Sequence, residues 1–388
     1  MTRFLLPLWS LVLLTACADT PAHRSTHPMY PPAVAPTLAD FWDGRAQFVM
    51  DQADTGLPMG ESDTLALTGA ALRSYVHASA QSLGVVDQCG GPVAFPGCIV
   101  PFHSNDRGRS FAPDSPTCLI PCAACPCDSK RDHIDQQQYP RVERMATTLG
   151  EQWLMVYEYR ANVILRRSHD GLTWSPPAEI PFTGIWQRWL MPCPAAAAVG
   201  PHPYTPQTYD CLVGSPPGLY IDTLANPPQA YIFVGLGQNP GSMGCYRGPV
   251  DAPPNLFRLC NHTPLFTGAA TYGPLASTGP DANAHFDFRT VSSAEVVHIG
   301  ATYYMLYEGV RGPGPGAAGD TQFLLGLARS IEDRIDGPWE LYPGNPILLD
   351  LPGNVGVGHA DLLELDGATY LYTSLDGERR SRLRLIWR

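Results

Sequence analysis

The chain has 388 residues, a formal net charge of −11, 37 glycines and 40 prolines. The charge argues against a polyanionic nucleic-acid partner, and this many glycines and prolines argue against long uninterrupted helices. The 17 tyrosines, 13 phenylalanines and 8 tryptophans supply aromatic surface that sheets can bury. These features favour a β-rich protein with one large domain or two ordinary ones.

The first residues, MTRFLLPLWSLVLLTAC (1–17), have the pattern of an export signal. A positive start is followed by an apolar core too short to span a membrane and then by small residues. The ending LTAC resembles the lipobox of bacterial lipoproteins, which implies a lipidated Cys17 as the mature N-terminus. An ordinary signal peptide cleaved nearby is the alternative. Residues 18–38, rich in Pro, Ala and Thr, are predicted to be a flexible tether, and 39–388 the folded domain.

This leader predicts a protein of the bacterial cell envelope, held at a membrane surface by its lipid alone. Of 11 cysteines, setting Cys17 aside leaves an even number, which predicts disulfides in an exported chain. The expected short-range pairs are Cys89 with Cys98, Cys193 with Cys211, and Cys245 with Cys260. The cysteines at 118, 122, 125 and 127 lack the paired C-x2-C units of structural zinc sites, so no metal site is predicted there.

Short β-branched and aromatic runs recur along the chain, whereas no segment keeps a 3.6-residue period. Five segments share a layout of inner run, turn at or near glycine, and aromatic-rich run, and most are followed by a third run. They are residues 62–79, 141–159, 219–237, 293–309 and 359–377. The repeat predicts an all-β fold, a five-bladed β-propeller, with a β-sandwich carrying inserted loops as the alternative. The last unit ends at its third strand, so segment 44–51 is predicted to close the ring.

Two short segments, SNDRGRSF (104–111) and SHDGLTW (168–174), repeat one motif at the ends of third strands. They resemble the Asp boxes of sialidases and related propeller proteins, and SIEDRIDGPWE (330–340) resembles a lengthened copy. The resemblance implies a structural role, because short Asp and Ser side chains satisfy backbone N–H groups of their own turns. The motif is therefore predicted to build the fold and not to catalyse.

Three carboxylates occupy equivalent positions near the starts of inner strands: Asp63, Glu295 and Asp361. In a propeller these strands line the central channel, so the three side chains are predicted to converge at one mouth. Glycoside hydrolysis needs such a set: one carboxylic acid protonates the leaving oxygen and a second activates water or attacks carbon. A third tunes their pKa values. The alternative is that acidic residues at strand starts are solvated or cap the strands.

The region 286–388 resembles the five-bladed glycoside hydrolases of the arabinanase, xylosidase and fructosidase superfamily. The resemblance is carried by YYMLY in a second strand, GLARSIEDRIDGPW in a third, NPIL after it, and a histidine before the last inner strand. It implies Glu295 as general acid, Asp63 as base and His359 as the channel histidine. The third carboxylate of the superfamily has no clean match, because Arg141 stands there with Asp135 just upstream. Asp361 is the candidate for that missing role.

Further substrate-binding candidates lie beside these strands. Glu308, like Glu158, follows a tyrosine on a second strand and is placed at the cavity rim, with a salt-bridged sheet residue as the alternative. Arg311 belongs to a Gly/Pro-rich loop and is a candidate contact for a sugar or an acidic group. Asp287 precedes the fourth inner strand. No cofactor is predicted, and a structural or channel-bound ion such as calcium stays open.

The sequence therefore predicts a monomeric, lipid-anchored glycoside hydrolase that acts on an oligo- or polysaccharide. Inversion is expected from the arabinanase and xylosidase side of the superfamily and retention from the fructosidase side. The alternative is a non-catalytic propeller that binds carbohydrate or protein at the cell surface. A sialidase is a weaker alternative, because beyond Arg141 no arginine stands at an equivalent inner-strand position.

Overall fold

The computed structural model describes residues 34–58, 61–78, 98–114, 119, 137–147, 150–159, 162–180, 216–236, 242–261, 264–268, 286–287, 290–311, 322–348, 351, 359–374 and 379–388. The unit that contains the strands extends over Ala35–Arg388. Within the described residues, helix is confined to α1 (Leu38–Trp42) and a 3₁₀ turn (Pro254–Leu256), and no helix there is long and apolar enough to cross a membrane. The all-β prediction is confirmed.

The strands form antiparallel meanders, which we number first to fifth in chain order. A leading strand is β1 (Ala46–Gln52). The first meander comprises β2 (Ser62–Ala66), β3 (Leu72–Ala78), β4 (Cys98–Ser104) and β5 (Ala112–Pro113). The second comprises β6 (Gln138–Thr147), β7 (Gly150–Tyr159), β8 (Asn162–Ser168) and β9 (Ala178–Glu179).

The remaining strands repeat this arrangement. The third meander comprises β10 (Gly218–Asp222), β11 (Gln229–Leu236), β12 (Ser242–Pro249) and β13 (Arg258–Leu259), with β14 (Phe266–Thr267) also paired to β12. The fourth comprises β15 (Thr290–Ile299), β16 (Thr302–Arg311), β17 (Gln322–Ser330) and β18 (Trp339–Leu341). The fifth comprises β19 (Asp361–Leu365), β20 (Ala368–Ser374) and β21 (Arg380–Trp387).

The leading strand completes the last meander. β1 pairs antiparallel with β21, from Ala46 opposite Trp387 to Gln52 opposite Arg382, so the fifth sheet has the order β1-β21-β20-β19. The pairing of the N-terminal segment with the last strand, predicted from the sequence, is present.

The first strands of successive meanders are neighbours. β2 contacts β19 and β6, and β6 contacts β10. β10 and β15 form one parallel pairing, Leu219 opposite Glu295, which joins the third and fourth meanders into a single nine-stranded sheet. This succession brings residues that are distant in sequence to one place.

The hydrophobic core is divided into clusters, each of which joins two meanders. Tyr75 and Trp153 lie in the cluster between the first and second meanders, and Tyr372 in the cluster between the fifth and first. Three further clusters join the second to the third, the third to the fourth, and the fourth to the fifth. The aromatic second strands therefore supply the contact surface between neighbouring sheets.

One predicted disulfide, Cys245–Cys260, is present and connects β12 to the residue after β13, with a Cα–Cα distance of 5.4 Å. The side chains of the other two predicted pairs, and the cysteines at 118, 122, 125 and 127, lie outside the described residues.

The aspartates of the two repeated motifs bind their own turns. Asp170 accepts hydrogen bonds from the N–H groups of Leu172 and Thr173, each at 2.7 Å, and from the hydroxyls of Ser168 and Thr173. Asp106 makes the corresponding contacts in the earlier copy. In the lengthened segment Asp333 instead contacts His298. The first two motifs therefore have the bonding that a structural role requires.

Replacing Asp170 by alanine should lower the free energy of unfolding by about 1 kcal/mol, because the turn loses an acceptor for two backbone N–H groups. Chemical denaturation of Asp170→Ala, compared with Leu172→Ala in the same turn, measures this effect. The Leu172 side chain is exposed, so its removal should change stability by less than about 0.5 kcal/mol. Equal losses in the two variants would contradict a structural role for the carboxylate.

Candidate active site

Four charged residues lie on the first strands of four meanders. Asp63 lies opposite Tyr75 on the second strand of its meander, Arg141 opposite Val156, Glu295 opposite Leu306 and Asp361 opposite Tyr372. The equivalence of the three carboxylates, inferred from the repeat, agrees with this register. The arginine is the fourth member of the set.

The backbone departs from regular strand geometry just before three of these residues. Arg141, Glu295 and Asp361 each follow by two positions a residue with left-handed φ: Tyr139 at 58°, Ser293 at 51° and His359 at 61°. The register of β6 and β15 also shifts just before Arg141 and Glu295. Bulges and non-glycine left-handed residues are costly and often aim a side chain at a functional site.

Arg141 joins two of the predicted catalytic carboxylates. Its Nη1 lies 2.9 Å from Glu295 Oε2 and 3.7 Å from Asp63 Oδ1. Its Nη2 donates to the Ser293 hydroxyl at 2.9 Å. The arginine is 2% exposed, so its charge is balanced by these two carboxyl groups and not by water. The structure thus brings Asp63 and Glu295 together.

Both carboxyl groups bind protons more tightly than usual. Burial, helped by the charge of Asp361, raises the pKa of Asp63 to about 7 against the opposing effect of Arg141. The N–H of Val142 donates to Asp63 Oδ2. Burial also raises the pKa of Glu295 well above its usual range, with like charges on Asp63 and Asp361 adding to the effect.

Asp361 holds the strand that carries Asp63. Its side chain is fully buried, Oδ1 accepts the N–H of Thr64 at 3.0 Å, and Oδ2 accepts the hydroxyls of Ser62 at 2.6 Å and Thr64 at 2.8 Å. The carboxylate therefore connects β19 to β2, and both of its oxygens are occupied.

A second cluster surrounds His359. Nε2 of His359 lies 2.6 Å from Glu61 Oε1, and its Nδ1 lies 3.1 Å from Glu308 Oε2. The other oxygen of Glu61 lies 2.8 Å from Nδ1 of His77. Although burial opposes ionisation, His359 and His77 hold the pKa of Glu61 well below its usual range. The nearby carboxylates of Glu308 and Glu61 raise the pKa of His359 against burial.

Two further carboxyl groups are enclosed beside this cluster. Burial and the charge of Glu61 raise the pKa of Glu308 to about 7, although His359 opposes the shift. The same two causes raise the pKa of Glu158 to about 8. Each residue is 1% exposed. Neither side chain is exposed, and Glu308 has the ion-pair contact that was the alternative to a rim position.

The other predicted substrate contacts are Asp287, Asp135 and Arg311. Asp287 is fully buried and accepts the Tyr307 hydroxyl at 2.9 Å, and burial raises its pKa to about 6. Asp135, Cys17 and the side chain of Arg311 lie outside the described residues. Within the described ranges, no group of three or more His, Cys, Asp and Glu side chains is arranged to hold a metal ion.

Three residues of these buried charged clusters were not predicted from the sequence: Glu61, His77 and Glu143. Glu61 stands two residues before Asp63, as His359 stands two residues before Asp361, so the repeat itself carried the signal. Glu143 lies two residues after Arg141, and burial together with Asp63 raises its pKa to about 8. His77 lies in the second strand of the first meander, where nothing in the repeat distinguishes it.

Neither a protein-family model nor a curated protein matches the sequence. Solved structures do match. A glycosyl hydrolase from Bacteroides ovatus has a TM-score of 0.51 at 10% identity and covers 85% of each chain. An endo-1,4-β-xylanase from Bacteroides thetaiotaomicron has a TM-score of 0.48 at 11% identity, covering 86% of this chain and 92% of that one. An endo-arabinase from the same organism has a TM-score of 0.46 at 13% identity, covering 88% and 97%. At these identities the likeness concerns the fold.

Proposed function

We propose that the chain is a five-bladed β-propeller glycoside hydrolase in which Glu295 is the general acid and Asp63 is the nucleophile or base. Each blade corresponds to one meander. Support for the ring comes from the five core clusters, which join each meander to the next and the fifth to the first. Support also comes from the succession of first strands and the fold shared with the Bacteroides ovatus glycosyl hydrolase.

The observation that carries the proposed chemistry is the bridge made by Arg141. One guanidinium nitrogen contacts both Glu295 and Asp63, and both carboxyls have raised pKa values. A single cation between two carboxyls favours a state in which one is ionised and the other protonated. That is the division of roles glycoside hydrolysis requires.

The roles follow from the environments of the two groups. Burial raises the pKa of Glu295 well above its usual range and so favours the protonated form, which donates its proton to the leaving oxygen. Asp63 is assigned as the ionised carboxyl, because in addition to the cation that it shares with Glu295 it accepts the N–H of Val142. We assign Asp361 a positioning role, since its occupied oxygens fix β2.

The spacing of the pair excludes most of the inverting range. Arg141 Nη1 lies 2.9 Å from Glu295 Oε2 and 3.7 Å from Asp63 Oδ1. The distance between these two carboxyl oxygens therefore cannot exceed the sum of the two contacts. Retaining enzymes place their carboxyls about 5–5.5 Å apart and inverting enzymes about 6.5–9.5 Å. The separation therefore reaches at most the lower edge of the inverting range, so Asp63 is proposed to attack the sugar carbon directly.

A screen of aryl arabinofuranosides, xylosides and fructosides tests this function, with the anomer of the first-formed product followed by NMR. We expect turnover of at least one substrate with retained configuration. The Asp63→Asn and Glu295→Gln double variant provides the blank, and its folding is checked by circular dichroism. An inverted product would exclude direct attack by Asp63, and rates equal to the blank on every substrate would exclude the hydrolase.

A non-catalytic carbohydrate-binding propeller is the second candidate. It is favoured by the burial of Arg141, which occupies both carboxyl groups as they stand. Binding of an oligosaccharide without turnover in the same screen would establish it. For either function we propose export and anchoring through a lipidated Cys17 in the bacterial cell envelope, supported by the LTAC ending of the leader.

A further inference from the structure

A cavity of about 520 Å³ lies between the fifth and first meanders, away from the proposed active site. Its lining includes Ala70, which follows β2, and Leu365 and Asp366 at the end of β19. Asp63 and Asp361 lie near the opposite ends of these same strands. With a rise of about 3.3 Å per residue, the two places are separated by roughly 15 Å.

Four arginines line this cavity: Arg107, Arg109, Arg382 and Arg384. Two of them have acidic partners, because Arg107 pairs with Asp366 and Arg382 with Asp51. No carboxylate in the described part of the chain pairs with Arg109 or Arg384, and both side chains are exposed. Two guanidinium groups therefore remain available to a ligand.

The acidic residue nearest to them is committed elsewhere. Asp106 accepts the N–H groups of Arg109 and Ser110 and the hydroxyls of Ser104 and Ser110. Although burial opposes ionisation, these donors hold the pKa of Asp106 below its usual value. Its oxygens are occupied by its own turn, and the four arginines outnumber the carboxylates of Asp106, Asp366 and Asp51 around the cavity. The cavity is thus locally basic in a chain whose net charge is −11.

The cavity also has an aromatic wall. Tyr370 lies opposite Arg384 in the β20–β21 pair, and the guanidinium carbon of Arg382 lies 4.6 Å from the centre of its ring. Arg384 lies 6.0 Å from the same centre. The Asn105 amide adds a polar group to the lining. Guanidinium groups recognise oxyanions through paired hydrogen bonds. The tyrosine ring and the asparagine amide can contact the uncharged part of a polar ligand.

We propose that this cavity binds a sugar that carries a carboxylate, sulfate or phosphate ester. Arg109 and Arg384 bind the oxyanion, and Tyr370 and Asn105 contact the ring. A bare inorganic ion would leave most of the 520 Å³ empty, whereas the volume falls in the range of small-molecule sites. The site is independent of hydrolysis at Glu295 and would operate in a hydrolase or a binding protein.

Calorimetric titration with glucuronate, glucose 6-sulfate, glucose 6-phosphate, glucose and inorganic sulfate tests this site. At least one anionic sugar should bind the wild-type protein, with an affinity that falls as salt is added, while glucose should not bind. The Arg109→Ala and Arg384→Ala double variant should bind that sugar at least 10-fold more weakly. Arg388→Ala, which removes an exposed arginine outside the cavity, should leave the affinity unchanged.

The anionic group of the sugar that binds most tightly identifies the chemistry of the site. The proposal is overturned if no anionic sugar binds, if glucose or inorganic sulfate binds as tightly, or if the double variant retains wild-type affinity. Both substituted arginines are exposed, so the double variant should unfold at the wild-type temperature. An affinity loss accompanied by a lower unfolding temperature and shared by Arg388→Ala would likewise overturn it.

Discussion

Replacing Glu295 by glutamine is expected to lower kcat/KM on glycosides with poor leaving groups by roughly 100- to 10,000-fold. Glutamine keeps an oxygen that can accept the hydrogen bond from Arg141 but has no proton to donate to the leaving oxygen. Dinitrophenyl glycosides, whose leaving group needs no protonation, should lose far less. Steady-state kinetics over a series of aryl leaving groups measures the difference.

The pH profile provides an independent readout of the same substitution. In the wild type, kcat/KM should rise as pH increases through about 7, where Asp63 ionises, and fall at higher pH as Glu295 loses its proton. Glu295→Gln should abolish the fall and keep the rise. Glu364→Gln, at an exposed position on β19, is the matched control and should preserve both limbs. A variant that retains wild-type rates with every leaving group would rule out Glu295 as the acid.

The repeat in the sequence predicts that Asp63 and Glu295 lie close together and that the strands form an all-β fold, and both features are present in the structure. Aligning the units on their turns placed Asp63 and Glu295 at the same position, and the observed pairings with Tyr75 and Leu306 agree. Pairing of β1 with β21 was predictable for the same reason, since the last unit lacked a strand. What repeats along a chain fixes which residues are equivalent, and equivalent residues meet when the units pack side by side.

Contacts between neighbouring units were harder to predict. Ser62 and Thr64 flank Asp63 in sequence, but alternation along β2 directs them to the opposite side, where they bind Asp361 of the fifth meander. The sequence alone could not distinguish a carboxylate facing a channel from one facing an adjacent strand. For the same reason the contact of Glu61 with His359 depends on β2 lying beside β19, which the sequence does not specify.

Replacing Arg141 by methionine is expected to lower the free energy of unfolding by about 3–5 kcal/mol at neutral pH, because it leaves Asp63 and Glu295 buried without their cation. Methionine fills much of the same space, so lost packing contributes little. Arg144→Met, three residues along β6, is the control. Arg144 pairs with the half-exposed Glu151 at 2.8 Å, and its loss should cost less than about 1 kcal/mol. Urea denaturation of the three proteins gives both differences.

The penalty of Arg141→Met should increase with pH. A carboxyl whose pKa is higher in the folded than in the unfolded protein stabilises the fold at low pH, and that contribution is lost as pH rises through the folded pKa. Burial already raises the pKa values of Asp63 and Glu295. In the variant, the two carboxyl groups also lose the cation that opposes this shift. The penalty should therefore be small near pH 4 and large near pH 8, and that of Arg144→Met should stay flat. A penalty that shrinks as pH rises would contradict the bridge.

Activity should report the same change. Without Arg141 the pKa of Asp63 rises further, so the rising limb of kcat/KM should move to higher pH in Arg141→Met, while Arg144→Met keeps the wild-type limb. Loss of packing alone would lower stability without moving the rising limb. Loss of a cation remote from Asp63 would change neither the stability nor the limb. A pH-dependent stability loss together with a displaced limb is therefore the result that distinguishes a cation held between the two carboxyl groups from a merely buried arginine.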